Sequence, residues 1–174
     1  VVMSPCAAAA IYHRDIYVSM GGMAEYFFCY YEDVDLGLRF RLLGHETIQL
    51  AGAKVRHVGS TTAGKNSKFI KYYVSRNRIW TFIRCVPGLL FAACLPLLIL
   101  SIVTRLCFSI FAGDTSTKLK AFFDAFRRLF RIWNDRKVIQ KARKSSVLQF
   151  GSDMTWSIGK LILRSSDCRP ISPE

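Results

Sequence analysis

Cys85 to Thr104 is a run of 20 residues without a charge, bracketed by Arg84 and Arg105. A helix needs about 20 apolar residues to cross a bilayer, so either a membrane or a sizeable core must take up this stretch. Pro87, Gly88 and Pro96 interrupt it. Three arrangements fit: one kinked span, a re-entrant or interfacial hairpin with both ends on one side, or a pair of buried core helices. Basic residues on both flanks leave the positive-inside rule undecided.

The charge around this run is uneven. Lys and Arg number 25 against 12 Asp and Glu, a formal net charge of +13. Residues 1–64 hold five basic and six acidic side chains, whereas residues 65–112 hold seven basic and none acidic. A near-neutral segment followed by a basic one points to an anionic surface as partner of the second part. The basic residues flank an apolar run instead of a polar recognition helix, so an anionic membrane is expected and no nucleic acid. Ser116 to Lys144 adds an amphipathic pattern with Phe122, Phe126, Phe130 and Trp133 on one side and Lys120, Arg127 and Arg131 on the other. Such a helix suits a membrane interface, and it also suits an ordinary packed helix with a solvated basic face. The six cysteines include no CxxC pair and read as reduced thiols. No basic-then-apolar leader is visible at Val1.

Three units are expected: residues 1–67, residues 68–112 with an aromatic, basic helix and the apolar run, and residues 113–174 with the amphipathic helix and a loose tail. Within the first, Ala7 to Tyr12 reads as a buried strand, and Glu46 to Leu50 and Lys54 to Val58 as two more. Val34 to Leu43 has helical spacing, closed by Gly44. Lys68 to Val86 is a second helix, with Arg76 on its aromatic face.

Chemistry concentrates in few places. Glu32, Asp33 and Asp35 fall within four residues, directly after the aromatic cluster Tyr26-Phe27-Phe28-Cys29-Tyr30-Tyr31. Asp33 suits a helix N-cap. A carboxylate at the edge of an apolar wall also has its pKa raised by desolvation, as a general base requires. His57, in a short apolar strand, is either a structural residue or a ligand to a metal with help from other groups. Arg76 and Asn77 could clamp a phosphate, or Arg76 could snorkel. No P-loop, GxGxxG, GxSxG or HExxH motif is present.

The order Ser4-Pro5-Cys6, Gly21-Gly22, Tyr31-Glu32-Asp33-Val34-Asp35-Leu36, Arg39-Phe40-Arg41, His57-Val58-Gly59-Ser60, Arg76-Asn77 and Pro87 resembles the C-terminal half of family 2 glycosyltransferases. These are inverting GT-A enzymes, often of rhamnosyltransferase type. The resemblance covers roughly residues 4–105 and runs on weakly to Arg143. It implies an α/β fold, the acceptor-side part of a GT-A domain followed by membrane-associated helices. It implies transfer of a sugar from a UDP- or dTDP-sugar to a glycan or lipid-linked acceptor hydroxyl, in bacterial cell-surface polysaccharide or glycolipid synthesis. The setting would be the cytoplasmic side of the inner membrane. Asp33 would be the base and Glu32 its partner. Asp35, Arg76 and Asn77 would bind substrate, and His57 would bind a divalent Mg2+ or Mn2+. Met23-Ala24 stand where the family has Phe-Asp. The nucleotide-binding half and its Asp-x-Asp motif have no counterpart here, so the 174 residues alone are expected to be inactive. A non-catalytic, membrane-bound anchor is the alternative.

Overall fold

The computed structural model describes residues 1–56 and 67–156, and these form a helical body. Seven α-helices follow one another: α1 (Arg14–Ser19), α2 (Glu32–Leu42), α3 (Lys68–Cys85), α4 (Gly88–Ala112), α5 (Thr115–Arg127), α6 (Leu129–Ala142) and α7 (Val147–Asp153).

The expected α/β fold is therefore corrected: among the described residues no sheet forms. Ala7–Ala9 is a single 3-10 turn, and the only trace of pairing is one antiparallel bridge between Val2 and Thr47. Lys54 to Arg56 is unpaired coil, and His57 and Val58 lie outside the described residues. The physical reason is the absence of partners. A strand's backbone groups need neighbours on at least one side, and among the described residues these runs find none beyond that single bridge. Ile11, Ile48, Leu50 and Val55 consequently remain exposed.

α3 is the central element, packing on α2, α4, α5 and α6. Ser67 begins it, its hydroxyl accepting from the Ile70 amide at 3.3 Å. Its apolar face meets α5 and α6 in a core of Phe27, Ile79, Trp80, Ile83, Phe122, Ala125 and Ile132. Trp80 is fully buried, and its indole N–H donates to the Ala125 carbonyl at 3.1 Å. The carbonyls freed at the C-terminal end of α3 are taken by α6: Arg136 donates to Ile83 and Val86 at 2.5 and 2.6 Å, and Gln140 to Arg84 and Cys85 at 3.2 and 3.3 Å. Pro87 then starts α4.

The long amphipathic pattern is two helices. The chain turns at Arg128, which closes α5 and opens α6; Phe122 is buried in the core with α3, whereas Phe126, Phe130 and Trp133 stay exposed. Val147–Asp153 of the tail forms α7: Phe150 is buried against Leu42 and Cys85, and Asp153 accepts from Arg41 Nε at 2.6 Å. Gly44, at φ 86°, ends α2 as expected.

Candidate functional site

The site is the entrance of α2 and the loop that leads into it. Between Tyr26 and Tyr31 the chain makes a rare sequence of turns. Phe28 sits at φ 68°, ψ −61°, and the Cys29 amide donates to the Phe27 carbonyl at 2.9 Å, the geometry of a strained γ-turn. Tyr30 and Tyr31 also have positive φ, 63° and 72°, where side chains other than glycine are disfavoured.

Arg76 and Asn77 hold this loop. The Asn77 amide nitrogen donates to the carbonyls of Phe27, Cys29 and Tyr30 at 3.0, 2.9 and 2.7 Å. Arg76 donates to Phe27 at 3.0 Å and to Asn77 Oδ1 at 2.9 Å, with its guanidinium 4.2 Å from the Trp80 ring centroid. Both side chains are buried. The residues read as a substrate clamp are thus spent on the protein's own backbone.

Asp35 is likewise committed. It is fully buried, accepts from Arg39 Nε at 2.8 Å and lies 3.2 Å from Arg84 Nε. Arg39 passes the connection on, donating to the Met20 and Gly22 carbonyls at 3.0 and 2.6 Å. Arg84 also donates to the Tyr26 hydroxyl, which in turn donates to Asp135.

Glu32 and Asp33 behave differently from Asp35 and from each other. Asp33 is the second residue of α2, not its cap, which is Tyr31. Its Oδ2 accepts the Ala7 amide at 3.1 Å and its Oδ1 the Val34 amide at 2.8 Å. Glu32 Oε2 is buried and has no hydrogen-bond partner. Burial pushes the Glu32 carboxyl above the usual range, with Asp33 adding to the effect and the residue's own backbone opposing it.

Sequence reasoning missed Tyr12. Its hydroxyl is buried without a partner, and its ring stacks on Phe40 with centroids 5.9 Å apart. Burial raises its pKa first, and Asp33 and Glu32 raise it further, so the phenol stands within the field of both carboxylates. The visible signal was only Tyr12 itself, at the end of the Ala7–Ile11 run, a position from which contact with α2 cannot be read.

The entrance of α2 therefore brings together two unsatisfied oxygens, Tyr12 Oη and Glu32 Oε2, beside an engaged carboxylate, Asp33. Cys29 is near, its thiol pushed up by burial and then by Glu32. An open groove of about 540 Å3, lined by Gly21, Met23, Ala24, Glu25, Tyr26 and Arg131, lies on the body but includes neither Glu32 nor Asp33. His57 lies outside the described residues, and among those residues no three His, Cys, Asp or Glu side chains are grouped to hold a metal.

Comparison with protein-family models, with curated proteins and with solved structures finds no match to this chain. Among the described residues one helix, α4, is long and apolar enough to cross a membrane.

Proposed function

We propose that this chain serves the acceptor side of an inverting glycosyl transfer at a membrane. A sugar would pass from a nucleotide-sugar to a glycan or lipid-linked hydroxyl, at the cytoplasmic face of a bacterial inner membrane. The observation that supports this reading is the buried, unpartnered Oε2 of Glu32 at the entrance of α2. The acceptor oxygen attacks the anomeric carbon as the bond to the nucleotide diphosphate breaks. Glu32 takes the hydroxyl proton, and the diphosphate leaves with the electron pair. A carboxylate whose pKa is raised by burial is a stronger base than one in water. The free oxygen moves the role of base from Asp33, expected from the sequence, to Glu32. Asp33 positions the Ala7 loop, and the Tyr12 hydroxyl stands ready to donate to an incoming sugar.

The test is incorporation of labelled sugar into lipid or glycan by membranes of cells expressing a complete enzyme that carries these residues together with a nucleotide-binding half, supplied in turn with UDP- and dTDP-sugars. Glu32→Gln should lower transfer about 10²–10⁴-fold. Asp33→Asn should cost less. Near-wild-type transfer by Glu32→Gln would sink the base assignment, and no incorporation from any donor would sink the function.

A specific observation favours the alternative of a non-catalytic membrane anchor. Asp35, Arg76 and Asn77 all bind the protein itself. In that reading, complementation of a deletion strain by the double variant Glu32→Gln, Asp33→Asn would equal wild type.

A further inference from the structure

The described helical body carries one feature that its own packing does not explain. α4 is 25 residues long, about 37 Å at 1.5 Å per residue, and only 6% of its most apolar window is buried. Its buried and half-buried positions are Leu90, Phe91, Cys94, Leu95, Leu98, Ser101, Ile102, Leu106 and Ser109, which at about 100° per residue fall on one side of the helix. This single stripe lies on the body from one end of the helix to the other. Near the start, the Phe91 ring lies 5.2 Å from Phe82 and 6.1 Å from Trp133, and Leu90 packs with Cys85 and Phe150. Near the end, Ile102 and Leu106 pack on the Trp80 core, and Lys118 of α5 donates to the Arg105 carbonyl at 3.2 Å. The opposite face is bare: Leu97, Leu100, Val103, Phe108 and Phe111 are between 50 and 90% exposed.

A helix fastened along its whole length cannot stand across a bilayer without taking its supports with it. α3 and α5 carry Arg76, Arg78, Arg84, Lys118, Lys120 and Arg127. Charges of this kind are costly in a hydrocarbon core and are found there only when paired or facing water. Dipping only the bare face leaves all of them at headgroup level.

We propose that α4 lies in the plane of the membrane, inserted into one leaflet of an anionic bilayer by its Leu97–Phe111 face, and does not cross it. Charge complementarity selects the lipid. Arg78 Nε and Nη2 are buried without a hydrogen-bond partner, and Arg105 of α4 stands close enough to make the Arg78 charge less favourable. Lys71 and Lys118 lie at the same end of α4, sharing Asp114 at 2.8 and 3.2 Å. Arg105 is exposed, and a lipid phosphate beside it supplies the negative charge that both arginines lack. The inference rests only on the membrane part of the proposed function. Its test uses no activity, so its failure leaves the transfer assay unaffected.

The full chain, with a different epitope tag at each end, is added to preformed vesicles of phosphatidylcholine with or without phosphatidylglycerol. The mixture is floated on a density gradient, and protease is added outside. The expected result is flotation with the phosphatidylglycerol vesicles, weaker flotation without that lipid, and cleavage of both tags. Leu100→Glu with Val103→Glu should cut flotation about tenfold or more at unchanged far-ultraviolet circular dichroism. Protection of one tag would show a crossing helix and overturn the proposal. So would absence of flotation, equal flotation with and without phosphatidylglycerol, or wild-type flotation of a folded double variant. Should the double variant unfold, the tag experiment on the wild-type chain decides alone.

Discussion

Replacing Asn77 by alanine tests how the loop before α2 is held. An amide nitrogen has two N–H groups, yet three carbonyls lie within 3.0 Å of this one, so at least one hydrogen is shared. Alanine removes both donors and the acceptor of Arg76 Nε. Each bond is worth about 0.5–1.5 kcal/mol net, and each buried group left unpaired costs about 1–3 kcal/mol. The Phe27 carbonyl keeps Arg76 and the Cys29 amide, so the loss falls mainly on Cys29 and Tyr30. Asn77→Ala should therefore lower stability by about 2–4 kcal/mol. The loop itself adds leverage. Phe28, Tyr30 and Tyr31 at positive φ cost about 1–2 kcal/mol each and persist only while the frame holds them. In the Asn77→Ala background, Tyr30→Gly should return about 1 kcal/mol. Urea unfolding in mild detergent, followed by tryptophan fluorescence, measures both, because Trp80 touches the loop through Phe27 with ring centroids 5.7 Å apart. A change below about 0.5 kcal/mol for Asn77→Ala, well under one hydrogen bond with its desolvation, would refute the reasoning.

Asp35→Asn should cost about 3–5 kcal/mol by the same measurement, since it leaves Arg39 and Arg84 buried without their carboxylate; a loss under about 1 kcal/mol would show that the Met20 and Gly22 carbonyls and the Tyr26 hydroxyl suffice for those arginines. Gly37→Ala should destabilise by about 1–3 kcal/mol, because a Cβ there would sit 2.3 Å from Ser4 Cβ. Ser4→Gly should restore only part of this, as Ser4 Cα is itself 2.7 Å away. The Glu32 pKa is raised in the folded state, so its contribution is fully present below the ordinary glutamate pKa and is lost as pH rises through the raised value. Thermal melts across that window should show Glu32→Gln matching wild type in acid and exceeding it towards neutral pH; a constant difference would mean that the carboxyl is not perturbed.

What the sequence made legible was local. The helices over Val34–Leu43 and Lys68–Val86 follow from the spacing of their apolar residues and, for the first, from Gly44 at its end, and both form within two residues of expectation. Among the described residues the strands did not form, because a strand is a statement about partners as well as residues, and runs of five or six do not reveal whether partners exist. The break at Arg128 was hidden as well. No glycine or proline marks it within residues 115–142, so the turn at Arg128 has no local signal in the sequence. At the site, the grouping of Glu32, Asp33 and Asp35 was visible, but their division of labour was not. Which oxygen is engaged depends on Ala7, Arg39 and Arg84, which lie up to 49 residues away in the chain. Asn77 shows the limit most clearly, since a buried asparagine capping three carbonyls and one clamping a phosphate look alike in sequence.

The two halves of the proposed function meet in three consecutive residues of α3. Arg76 and Asn77 grip the loop that delivers Glu32, and Arg78 is the cation beside Arg105 of α4. Successive residues of a helix point about 100° apart, so one turn of α3 faces both the carboxylate entrance and the apolar helix. Tyr31, the left-handed residue that starts α2, lies within the field of Arg78 as well. Neutralising Arg78 with a lipid phosphate therefore changes the electrostatics one residue away from Glu32. Because the guanidinium is partly desolvated, that change is screened less than it would be at an open surface. In the proposed function, a site built on this frame would have its base set by the loop, its loop set by α3, and the charge on α3 completed by the membrane.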